Sequence, residues 1–186
     1  MVHTSSGRVP TPRAYRFFLS ELLEEEELPV LQEVAIKQQI WSARYEMHKL
    51  LRELVTTISD TIQDLTIATT DDGFVVHAGA SKLLDEPEFW NIDTTKSALE
   101  LVDNFEILNT LLKQAYANNA KKEDVYCLIG GELPKEELRN CALATTRYQT
   151  NKGNGFIAVL GPARMRYEKV LPTLKYAKEL VEELAQ

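Results

Sequence analysis

An α+β fold, with long helices laid against an antiparallel sheet of about five strands, is predicted by three features of this 186-residue sequence. Met47, Leu50, Leu51, Leu54, Val55 and Ile58 recur at i, i+3, i+4, i+7, i+8 and i+11, one continuous apolar stripe at helical period. Five short runs, 65–69, 74–78, 125–129, 143–150 and 156–160, are rich in strand-forming residues and separated by turn formers. Their order is long helix, two strands, helices, three strands, helix. That order suits helices layered on one side of a single sheet.

Each element has a local reason. Residues 2–11 read as a short polar hairpin, with Ser6-Gly7 as its turn. Thr11 followed by Pro12 is a helix start, a hydroxyl cap and then a ring already set at the helical φ. This helix is expected to reach Glu24, with Tyr15, Phe18, Leu19, Leu22 and Leu23 on its apolar face. The acidic run 24–27 and Leu28-Pro29 form a joint, which divides the chain into 1–28 and 29–186. One long helix is expected from 29 to 63. Asp71-Asp72-Gly73 turns the first strand into the second, and 79–89 reads as irregular with a short helical piece. Asp93 or Thr94 caps a helical stretch to about Ala117, with a break near Asn104. Gly130-Gly131 ends the third strand, and 151–155 turns the fourth into the fifth. The last helix is expected over 166–185, with Pro172 either bending it or lying in its first turns. On pattern alone, a GAF-like, a PAS-like or a profilin-like sheet fits this order.

Composition narrows the function classes. A hydrophobic content of 44% supports one ordinary core, and 26% charged residues of mixed sign argue against long disorder. No stretch approaches the roughly 18 apolar residues of a membrane span, and no signal-peptide layout is present, so a cytoplasmic protein without membrane partners is expected. The net charge is −7, yet the first twenty residues hold Arg8, Arg13 and Arg16 and no acid, leaving −10 for the rest. The plain account of that basic tip is a solvated tail.

Chemistry-bearing patterns are sparse. His3, His48 and His77 are scattered, without metal-ligand spacing or a catalytic grouping. Gly153-Asn154-Gly155 lies between strands, the wrong context for a phosphate loop. Cys127 and Cys141 make no disulfide framework; on adjacent strands they are open to redox sensing, but buried cysteine is usually a small core residue. The expectation is that this is not an enzyme and uses no cofactor or metal.

Three segments together carry a resemblance. They are His3-Thr4-Ser5-Ser6-Gly7-Arg8-Val9-Pro10-Thr11 followed by Ala14-Tyr15-Arg16; Gly79-Ala80-Ser81-Lys82-Leu83-Leu84 followed by Pro87-Glu88-Phe89; and Gly161-Pro162-Ala163-Arg164-Met165-Arg166-Tyr167. Taken in this order, they resemble the heat-inducible transcription repressors of the HrcA family. Ser6, Ala14 and Lys82 stand where alanine, glycine and asparagine are usual there. The resemblance implies a winged-helix DNA-binding domain followed by a GAF-like domain. It also implies a homodimer on an inverted-repeat operator (CIRCE) upstream of chaperone genes, assisted by a GroEL-type chaperonin.

Under this resemblance, 1–28 is the remnant of the winged helix, its wing and following helix, and 29–186 is the GAF-like regulatory and dimerisation domain. His3, Thr4, Ser5 and Arg8 become the DNA-contacting wing residues. Arg8, Arg13 and Arg16 are then candidates for phosphate contact. The chain opens at Met1-Val2, where the family's helix-turn-helix would already have passed, so operator binding is expected only with that element restored. Ala78 runs straight into Gly79, with no room for the dimerising insert common in the family. The 47–58 stripe is the expected dimer face. The alternative is a stand-alone GAF-like module that binds a partner or small ligand without DNA. Arg164 and Tyr167 are expected to tie their turn to the sheet.

Overall fold

The structure is a computed structural model that describes residues 10–24, 26–118 and 124–186. Helix α1 (Pro12–Phe17) starts where Thr11 Oγ1 accepts from the Ala14 N–H at 3.3 Å. It then widens into a π-helical turn, Phe18–Leu22. That extra width rotates Leu22 away from the body, so Tyr15, Phe18, Leu19 and Leu23 pack inward while Leu22 is exposed, against expectation.

The single long helix expected over 29–63 is two. Helix α2 (Val30–Ile40) tightens through Trp41–Ala43, and extended backbone at Glu46 precedes α3 (Met47–Ile62). No glycine or proline lies between 41 and 46, so local grammar hides the break. Packing explains it: α2 folds back so that Ile36 and Ile40 enter the same core cluster as the α3 stripe. Gln63, at a left-handed φ of 65°, closes α3.

Strands β1 (Leu65–Thr70), β2 (Val75–Ala78), β3 (Val125–Ile129), β4 (Cys141–Thr150) and β5 (Gly153–Pro162) form one sheet in the order β2-β1-β5-β4-β3. Every neighbouring pair is antiparallel. Gly155 pairs with Thr70 and Tyr148; a Cβ there would lie 1.8 Å from the Thr69 carbonyl, to which the Tyr148 hydroxyl donates at 2.7 Å. Helices α4 (Ile92–Asp103) and α5 (Phe105–Ala117) meet at Asn104, the expected break. Asn91 caps α4, two to three residues earlier than expected, accepting from the Asp93 N–H at 2.9 Å. Helix α6 (Tyr167–Leu184) carries Pro172 in its interior.

Helices cover both faces of the sheet rather than one. Residues of α2, α3 and α6 form one core with Ala68, Ala144, Ile157 and Val159. Residues of α4 and α5 form the other with Leu65, Ile67, Leu143 and Phe156. Covered on both sides, β1 is buried at all six positions, which is why it reads as a nearly unbroken run of apolar and Thr residues. Leu50, Leu51, Leu54, Val55 and Ile58 are wholly buried within the chain, so the 47–58 stripe is spent on its own core and is not a free dimer face.

Candidate functional site

His3, Thr4, Ser5 and Arg8, with the hairpin proposed for them, lie outside the described residues. What the structure shows is how the helix immediately after them is held. Pro12 sits over Gly130, whose φ is +58°; a Cβ at Gly130 would stand 3.0 Å from Pro12 Cγ and 2.8 Å from the Arg139 carbonyl. One turn further along, the Arg16 guanidinium donates to the Cys127 carbonyl at 3.0 Å and pairs with Glu132. Glu132 in turn accepts from the Ile129 N–H at 2.8 Å.

Because β3 is the last strand of the sheet, this arginine–carboxylate bridge lies along the sheet's outer rim. Both partners are about half exposed, 45% and 47%, so the pair contributes at most about 1 kcal/mol. Its effect is positional. Arg16 is thus engaged with the body in this structure, while Arg13 stays exposed. A cleft of about 500 Å³ opens beside the bridge, its lining including Leu19, Ser20, Leu111 and Gln114.

The other two motifs meet each other. Gly79, at φ +86°, passes so close to Ser59 and the Asp64 carbonyl that a Cβ would fall 2.0 and 2.7 Å from them. The segment after it is pinned by Lys82–Asp60 at 2.8 Å, and Phe89 is buried. Arg164 grips Glu88 with two bonds, 2.8 and 2.9 Å, and Glu86 with a third at 2.5 Å. Arg164 thus ties its turn to the 86–88 loop rather than to the sheet. Tyr167 donates to the Ala163 carbonyl at 2.8 Å, closing the same turn on itself.

Asp64 lies at the centre of this joint, 8% exposed, with Oδ1 2.8 Å from where a Gly161 Cβ would stand. Burial, helped by the nearby Glu86 carboxylate, pushes its carboxyl up to about 6 against the pull of Arg166, Arg164 and Lys82. Burial and Arg166 together lower the Lys169 ammonium, which donates to the Thr61 carbonyl at 2.5 Å. The charges answer one another, and the arrangement serves as a joint between segments.

Cys127 and Cys141 do fall on adjacent strands, but Cys127 belongs to one core and Cys141 to the other, across the sheet. Burial pushes the Cys141 thiol up to about 12, away from the reactive thiolate. The His48 ring stacks on Phe74 at 4.0 Å, and His77 is exposed on β2 opposite Ile67. Among the described residues, no group of three or more His, Cys, Asp or Glu could hold a metal ion, and no helix is long and apolar enough to cross a membrane.

A five-stranded antiparallel sheet in the order 2-1-5-4-3, clothed in helices on both faces, with an N-terminal helix pinned to its rim, defines an α+β domain of the expected class. A solved structure described as "Crystal structure of a hypothetical protein at 2.2 A resolution" has this fold, with a TM-score of 0.69 over 99% of this chain and 81% of that one, at 12% identity. The family model described as "HrcA protein C terminal domain" matches residues 12–171, and the chain belongs to that family. It is similar to the heat-inducible transcription repressor HrcA of Ruminiclostridium cellulolyticum, 29% identical over 97% of this chain and 52% of the relative. It is also similar to the protein of the same description from Acetivibrio thermocellus, 31% identical over 72% of this chain and 36% of the relative. The chain spans about half the length, or less, of these curated relatives.

Proposed function

We propose that the chain serves transcriptional repression of heat-shock genes, as a cytoplasmic homodimer at the inverted-repeat operator CIRCE upstream of chaperone genes, with a GroEL-type chaperonin as its partner. In this reading 1–28 is the wing and following helix of a winged-helix domain, and 29–186 is the GAF-like regulatory body. His3, Thr4, Ser5 and Arg8 touch the DNA backbone or minor groove. Sequence readout comes from a recognition helix placed ahead of the wing. The observation that carries this reading is the family match over 12–171. The docking of α1 adds support, since it fixes the point from which the basic N-terminal segment departs.

With Arg16 engaged by Glu132, Arg8 and Arg13 are left to meet phosphates. At about −0.9 per contact, the chain alone should show a salt slope near −2 and weak, unselective binding. The test is a mobility shift with an inverted-repeat operator and a scrambled duplex, on the 186-residue chain and on the chain fused behind a family helix-turn-helix. Selective binding by the fusion and none by the chain alone is expected. Tight selective binding by the chain alone, or no selectivity in the fusion, overturns the reading.

A further inference from the structure

Helix α2 is apolar on two sides, and the chain uses only one. Ile36 and Ile40 are buried against α3 and the sheet. At 3.6 residues per turn, Val30, Val34 and Trp41 share a different side, flanked by Leu31 and, in the following turn, Tyr45. These five are 70%, 46%, 46%, 86% and 72% exposed, respectively. Lys37 and Gln38 lie among them, so this side mixes apolar and polar groups, as interfaces between soluble proteins commonly do. Together the five present roughly 500–600 Å² of apolar surface, at the upper end of what a monomer exposes.

The C-terminal end of this face is preorganised. The Arg44 guanidinium lies 4.4 Å from the Trp41 ring centre and 4.1 Å from that of Tyr45. It also donates to the Trp41 carbonyl at 2.7 Å and to the Tyr45 hydroxyl. Tryptophan, tyrosine and arginine are the residues that dominate interface energetics, and these three are already held in place. The N-terminal end has the opposite charge: Glu24, Glu26 and Glu27 are all exposed just before Leu28-Pro29.

We infer that this outer face of α2 is the surface on which two copies of the chain associate, with the two α2 helices antiparallel about a two-fold axis between Val34 and Lys37. A two-fold interface must complement itself. An antiparallel pairing does this, because the acidic end of one copy meets Arg44 of the other and Val30 meets the partner copy's Trp41 ring. A parallel pairing sets like charges together at both ends. With the stems of Lys37 and Arg44 added, the area approaches the roughly 800 Å² per partner of a standard interface. The inference deepens the repressor reading by giving its homodimer a surface, and it is measured without DNA.

The experiment is sedimentation velocity on the 186-residue chain from about 1 to 200 µM, since interfaces of this size hold at micromolar or tighter. A monomer–dimer equilibrium is expected within that range. Leu31→Glu/Tyr45→Glu should weaken it at least about tenfold with an unchanged circular dichroism spectrum and melting temperature, because both positions are exposed. Arg44→Glu should weaken it too, and adding Glu26→Lys/Glu27→Lys should restore it. A monomer throughout, a dimer indifferent to Leu31→Glu/Tyr45→Glu, or a loss in Arg44→Glu without rescue overturns the proposal. If the chain is monomeric while the helix-turn-helix fusion still selects the operator, the surface is wrong and the repressor reading stands. If the chain dimerises through this face and the fusion selects nothing, the reverse holds.

Discussion

Asp64 shows what a single residue contributes here. Its carboxyl is raised to about 6 in the folded chain, from an ordinary value of 3.8. Between those values the folded state holds a proton that the unfolded state has released. Stability therefore falls as pH rises from about 4 to 6, and the penalty stays in full above that. Its size is on the order of 2–3 kcal/mol. Asp64→Asn should stabilise the chain by that order at pH 7 and by almost nothing below pH 4, measured by urea denaturation across pH. A difference that is absent at pH 7, or the same at every pH, would sink this account. Residues of this kind divide by range in how legible they are. Thr11 and Pro12 act within one turn, so their role is visible in the sequence. Arg164 acts on Glu88 across 76 positions and Arg16 on Cys127 across 111, and nothing in the chain's local pattern points to either partner. The residues proposed for the wing are legible only as part of a longer motif.

Among the elements, the strands were legible because each combines β-branched residues with a turn at its end. The break between α2 and α3 was not, because it follows from where Ile36 and Ile40 must go and not from any breaker residue. Pro172 shows the converse, a helix breaker tolerated inside α6. The N-terminal helix is held without any fully buried group: none of its residues from 12 to 22 is buried. Its polar anchor is Arg16 on the rim of β3. Arg16→Ala should accordingly leave the global melting temperature within about 2 °C, the effect of a pair worth less than 1 kcal/mol. The same change should speed amide hydrogen exchange over 12–22 several-fold, since that segment opens locally. Unchanged exchange there, as read by mass spectrometry, would mean that the apolar contacts of Phe18, Leu19 and Leu23 hold the helix unaided.

At the scale of the molecule, the sheet is shared by two cores. Along β4, Ala142, Ala144 and Tyr148 serve one core while Cys141 and Leu143 serve the other, so neither layer can leave without stripping the far side of its support. The chain should therefore unfold as one unit. Trp41 lies beside α2 and Trp90 before α4, on opposite sides of the sheet, and they are the only two tryptophans. In Trp41→Phe and Trp90→Phe, the remaining tryptophan should report the same urea midpoint once each is corrected for its own stability by circular dichroism. Midpoints that separate from the circular dichroism transition would show the layers melting apart. One consequence concerns solubility. A terminal strand with an open backbone recruits other strands, and proteins that avoid clumping block that edge. Here the block is borrowed: the Arg16 side chain, carried on a helix outside the sheet, occupies the rim of β3 with Glu132 beside it. Whatever frees that helix also unguards this strand, so the link between the N-terminal segment and the body is at the same time a cover for that edge of the sheet.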